Sequence, residues 1–173
     1  ATTFNSRSAA VSDPTILSAS ADTTAAAGSY SIEVTQLAKY HAVRSNTSYA
    51  ATTETFNAGT LAIKVGAGAT VNVTIDSGNN TLAGIRQAIN DASAGVTATI
   101  IYTGSTNRLV LTSNTLGATG AVDVTVTDSG SGGTHPLSGL ASASLVETQA
   151  ADDAQFKVNN IAVTRSSNTI TDA

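Results

Sequence analysis

The chain contains no cysteine, no methionine and no tryptophan. Without a thiol there can be no disulfide, no thiol nucleophile and no thiolate metal site. Its interior has to be built from Val, Ile, Leu and Ala, which bury little area per residue, so modest stability is expected. Charge is scarce too: 12% of the 173 residues are Asp, Glu, Lys or Arg, and 4% are aromatic. The balance is acidic, −4 at neutral pH. Nucleic-acid binding needs a basic face, so no nucleic-acid partner is expected. No apolar run approaches the ~18–20 residues of a membrane span, so membrane insertion is not expected either. No signal peptide is visible. The chain starts mid-pattern at Ala1-Thr2-Thr3-Phe4 and stops as abruptly at Thr171-Asp172-Ala173. An excised piece of a longer protein is the expectation.

Ala, Thr, Ser, Gly and Val dominate what is present, and Thr and Val favour strands. One helix stands out, over about residues 81–94. Leu82, Ile85 and Ile89 fall three and four apart, with Ala92 extending the stripe. Asn79, Asn80 and Thr81 offer oxygens to the first turn, and Gly95 suits a left-handed stop. The period then switches to two: Val96, Ala98, Ile100 and Tyr102 alternate, and residues 108–113 return with Leu109 and Leu111 on one side. A helix this short needs a sheet to lie on, and this hairpin starts one. The fold class is therefore mainly β with an α+β character: two β-rich domains, the inner one with a helix packed on its sheet.

Taken in order, residues 1–27 are a polar leader in which 15–21 could form an edge strand. Tyr30, Ile32 and Val34 alternate as a strand with one buried and one wet face. Leu37, Tyr40 and Val43 continue it past a bend, leaving Lys39, His41 and Arg44 towards water. Residues 45–57 are a polar connection. Leu61, Ile63 and Val65 pair with Val71, Val73 and Ile75 across Gly66-Ala67-Gly68-Ala69. Val122, Val124 and Val126 form a further strand, and residues 128–133 (Asp-Ser-Gly-Ser-Gly-Gly) read as a linker. Phe156 and Val158 face Ile161 and Val163 across Asn159-Asn160, a pair that tolerates positive φ. An outer domain made of 1–56 and 134–173, interrupted by an inserted domain over 57–133, accounts for this pattern. Proteases should then cut near 47–54 and 129–135.

Candidate chemistry is thin. His41 and His135 are the only imidazoles, and no Gly-x-Ser-x-Gly elbow accompanies them, so both are expected as solvated surface groups. Asp152, Asp153 and Asp172 do not form a calcium loop. Gly66-Ala67-Gly68 is followed by a strand, not by the helix that a phosphate cradle requires. Tyr30, Tyr40, Tyr49 and Tyr102 are too scattered to read as a sugar platform. The expectation is a non-enzyme with no catalytic, cofactor-binding or metal residues and no cofactor.

Three stretches carry a resemblance. Gly28-Ser29-Tyr30-Ser31-Ile32-Glu33-Val34-Thr35-Gln36-Leu37-Ala38 is the first. The second runs from Asn80 to Ala92 and on through Gly95-Val96-Thr97-Ala98-Thr99-Ile100 to Arg108-Leu109-Val110-Leu111-Thr112-Ser113. The third is 151–173, where Asn160 stands in place of the usual Gly of an Asn-Gly turn. In order and spacing, over roughly 5–173, they resemble the bacterial flagellar filament cap family, flagellar hook-associated protein 2. That resemblance implies β-rich head domains between helical legs, which lie outside this sequence. It implies capping of the growing filament tip, flagellin subunits as partners and self-association into a ring in the full-length protein. It also implies export through the flagellar channel without a cleaved signal peptide, to the flagellum tip outside the cell. The alternative is a surface adhesion module for host glycans or mucin.

Overall fold

The computed structural model describes residues 6–171. Among these described residues, ten strands form three antiparallel sheets, with one α-helix. The strands are β1 (Ile32–Gln36), β2 (Tyr40–Ser45), β3 (Gly59–Val65), β4 (Val71–Ile75), β5 (Val96–Tyr102), β6 (Asn107–Leu116), β7 (Val122–Asp128), β8 (Leu145–Gln149), β9 (Ala154–Val158) and β10 (Ile161–Arg165). The helix α1 is Leu82–Asp91. A four-stranded sheet runs β5-β6-β2-β8, and three-stranded sheets run β4-β3-β7 and β1-β9-β10. No helix among the described residues is long and apolar enough to cross a membrane.

The helix forms where the spacing predicts. The Thr81 side chain accepts from the Gly84 amide at 3.0 Å, capping the first turn. Leu82, Ile85 and Ile89 are all buried, and α1 packs against β5 and β4. Ser93 takes φ 51° and Gly95 φ 75°, so the chain leaves the helix through two left-handed residues, where one was expected. The hairpins form as the alternation implies: Leu61 faces Val73 and Ile63 faces Val71, while Ala98 faces Leu111 and Ile100 faces Leu109. At the last hairpin Asn159 and Asn160 both have positive φ, the geometry of a two-residue primed turn.

The domain boundary is redrawn. β2 and β8 belong to the expected outer domain, and β5 and β6 to the expected insertion, yet all four share one sheet. Its buried face (Val43, Val96, Ala98, Leu109, Leu111) closes on Leu61, Ile63, Val73, Ile75, Val122 and Val124 of the β4-β3-β7 sheet, with α1 against both. Leu137 and Leu140, from a 3-10 turn, complete the same core. Alternation in single strands cannot reveal which strands become neighbours, and here Val43 pairs with Leu111 across the expected joint.

Both expected connections are pinned. In the 45–57 stretch Tyr49 and Phe56 are buried, and Tyr49 exchanges backbone bonds with Asn107 at 2.9 and 2.7 Å. The Phe56 amide donates to Asn80 O at 2.8 Å, and the buried Asn80 amide returns bonds to Phe56 O and Gly132 O. The glycines of 128–133 serve close approach rather than looseness: a Cβ on Gly133 would lie 2.1 Å from the Phe56 carbonyl carbon. Residues 15–21 form no strand. Asp13 folds a turn over Pro14, accepting from the Thr15 amide at 2.9 Å, and Ile16 stays exposed.

Candidate interaction surface

The third sheet is built differently from the other two. Ile32 lies opposite Val158 and Val158 opposite Ile161; Val34 lies opposite Phe156 and Phe156 opposite Val163. Directly opposed residues share a face, so six apolar side chains line one side of a three-stranded layer. Glu33, Lys157 and Ala162 lie on the other side, where Lys157 pairs with Glu33 at 3.1 Å. None of the six apolar residues joins the central core. Ile32 is 43% exposed, Val34 37% and Ile161 68%. The expectation of one buried face is corrected: the apolar face of this sheet is half open. Polar clasps join the layer to the body. Asn168 bonds both ways with the Ala38 backbone, at 2.7 and 3.0 Å, and the Lys39 amide donates to Asp152 O at 2.8 Å.

The two histidines are not solvated surface groups. His41 is buried on β2; its Nδ1 accepts from the Val122 amide at 2.9 Å, and its Nε2 lies 3.0 Å from Glu147 Oε2. With Nδ1 accepting from an amide and Nε2 facing a carboxylate, neither nitrogen is left to activate a hydroxyl. His135 bonds through Nε2 to Glu54 and packs its ring edge-on to Tyr49, centroids 5.1 Å apart, and tilted on Phe56 at 5.6 Å. Glu54 also accepts from the Ala50 and Ala51 amides. The hydrogen bond from His135 is the largest influence on the Glu54 carboxyl, holding it below its ordinary value. Burial, with the Glu54 charge adding, pushes the Tyr49 phenol up to about 12. The cluster is a structural joint between the 45–57 segment and the stretch after β7.

The remaining candidates are dispersed. Asp152 pairs with Lys39 at 3.3 Å, while Asp153 accepts from the Ala118 amide at 2.7 Å, so the neighbouring carboxylates diverge. Asp172 lies outside the described residues. Among the described residues no group of three His, Asp or Glu converges on one point. Gly66-Ala67-Gly68 is the β3–β4 turn, with Gly66 at φ 53°. Tyr30, Tyr40 and Tyr102 are exposed but sit before β1, on β2 and on β5; Tyr49 is in the core.

The class these features define is a β-rich structural module whose open features are sheet faces. Comparison with known proteins narrows it. A family described as "Flagellar hook-associated protein 2 N-terminus" matches residues 1–41, and the "Flagellin hook IN motif" matches residues 60–115. The B-type flagellar hook-associated protein 2 of Pseudomonas aeruginosa PAO1 is 46% identical over 140 residues, covering 80% of this chain and 30% of that protein. Flagellar hook-associated protein 2 of Escherichia coli O157:H7 is 36% identical over 188 residues, covering 99% and 40%. The crystal structure of the P. aeruginosa PAO1 protein superimposes with a TM-score of 0.78 at 38% identity, covering 87% of this chain and 71% of that one. The D2–D3 domains of the E. coli flagellar cap protein give 0.75 at 34% identity, covering 86% and 80%. The chain belongs to the flagellar hook-associated protein 2 family. It spans 30–40% of the length of these two curated relatives.

Proposed function

We propose that this chain is head material of a flagellar filament cap: at the growing tip it helps flagellin subunits insert and polymerise. The observation that carries the reading is the likeness, in sequence and fold together, to the D2–D3 domains of the Escherichia coli flagellar cap protein. The sequence match to the Escherichia coli O157:H7 relative covers 99% of the chain, so it takes in both the helix-backed core and the open β1-β9-β10 sheet. An interaction module uses exposed faces on a rigid frame, and buried apolar contacts give it that frame. Flagellin is the partner in this reading, ring formation belongs to the full-length protein, and the site of action is the flagellum tip, reached by export without a cleaved signal. The function is structural rather than catalytic.

The test is genetic. Deleting the region from 32 to 165 in the parent protein should abolish filaments and release unpolymerised flagellin into the medium, and the intact parent should restore them. Normal filaments after the deletion would exclude the cap role. Glycan-array binding by this chain, with filaments unaffected, would favour the adhesion alternative.

A further inference from the structure

The outer face of the four-stranded sheet carries two arginines, Arg44 and Arg108, side by side. Thr99 lies opposite Val110, Val110 opposite Arg44, and Arg44 opposite Val146, a row crossing all four strands. Ile101 lies opposite Arg108 one step along the same face, and Thr97, Thr112 and Ala42 form the next row. None of these nine residues is acidic. Arg44 Nη1 donates to Ser45 O at 3.1 Å. Arg108 Nη1 donates to the same oxygen at 2.8 Å and to Asn46 O at 2.5 Å. The two guanidinium nitrogens can be no farther apart than those two bonds placed end to end. Among the described residues the ion pairs are Lys39–Asp152, Lys157–Glu33 and two His–Glu contacts, so neither arginine has a carboxylate partner.

We propose that this face docks the carboxylates of an acidic protein partner, held between Arg44 and Arg108. Two guanidinium groups held together repel one another until an anion sits between them, and a carboxylate can accept hydrogen bonds from both. The setting is that of a protein contact: Ile101 is exposed beside the pair, Val110 and Val146 flank it, and threonine hydroxyls rim it. Two cations on a chain of net charge −4 do not make a polyphosphate track, which argues for a protein surface over nucleic acid. This inference is independent of the cap reading and survives its failure.

The test is a nitrogen-15 NMR titration of this chain with a hexaglutamate peptide at about 50 mM salt. Hexaglutamine and inorganic phosphate serve as comparators. The expected result is saturable shifts centred on Arg44, Ser45, Arg108, Val110 and Val146, with a dissociation constant of about 1 mM or tighter. Affinity should fall about tenfold or more in Arg44→Gln/Arg108→Gln, recover in part in the double Lys variant, and weaken as salt rises. Arg108 also holds the 45–46 backbone, so Arg44→Gln alone, expected to lose about threefold or more, covers the case in which the double variant unfolds. Scattered shifts, equal binding of hexaglutamine, or phosphate binding as tightly at the same residues would each overturn the proposal.

Discussion

Replacing Ile89 by alanine tests the packing on which the whole body depends. Ile89 is 1% exposed and sits in the central core with Leu82 and Ile85. Truncating a buried isoleucine costs about 2–5 kcal/mol, the transfer term plus the cavity left behind. Alanine's better helix propensity returns about 0.4 kcal/mol, leaving about 3 kcal/mol net. A domain of this size loses about 2–4 °C of Tm per kcal/mol, so the drop should be about 6–12 °C. Thermal melts followed by circular dichroism, together with urea titrations in which the slope stays unchanged, would measure it. The control is Gln87→Ala on the same helix. That side chain is exposed and loses two exposed hydrogen bonds, one to Asp91 at 2.7 Å and a long one from Arg86 at 3.5 Å, so its Tm should move by less than about 2 °C. Equal, small losses from both variants would show that the helix stripe is not buried as described.

Asn90 closes the free edge of β5: its amide donates to Ala98 O at 2.9 Å and accepts from the Ala98 amide at 2.7 Å. Asn90→Ala should cost about 1–3 kcal/mol and speed hydrogen exchange at Ala98. Gly133→Ala should destabilise by about 2 kcal/mol or more in urea melts, because its Cβ has only the Phe56 backbone to displace. At the β9–β10 turn Asn160→Gly should be neutral or slightly stabilising in thermal melts. Asn160→Val should lower Tm by several degrees, since φ 66° is strained for a branched side chain. Glu54 has a folded pKa below its ordinary 4.5. Its stabilising contribution is therefore complete above that value and lost as pH falls through the folded pKa. Glu54→Gln should flatten the acid limb of the stability curve below about pH 4.5.

Local patterns were legible in the sequence; neighbourhoods were not. Leu82, Ile85 and Ile89 announced a buried helix face because a 3.6-residue stripe has one structural use in so short a helix. Asn159-Asn160 announced its turn because few residue pairs accept two positive φ values. Strand partners are a different matter, since pairing depends on contacts distant in sequence. Val43 meeting Leu111 erased the boundary drawn at 56/57. His41 looked like a polar residue on a wet strand face, but Val122 and Glu147, far along the chain, satisfy both its nitrogens and permit burial. The Gly-Ser-Gly-Gly run looked like a linker because composition cannot separate freedom from close approach. In Ile32 and Val34 the alternation was real, and only the sheet's position outside the core left that face open.

Locating the region on flagella tests the central reading most directly. The Thr103–Thr106 turn can carry a short epitope, since a Cβ at Gly104 meets nothing within 4 Å. With that epitope in the parent protein, filaments would be labelled with gold-conjugated antibody and viewed by electron microscopy. The cap account predicts gold at the free ends of filaments in a motile strain. Gold along the shaft or on the cell body, with bare ends, would contradict it.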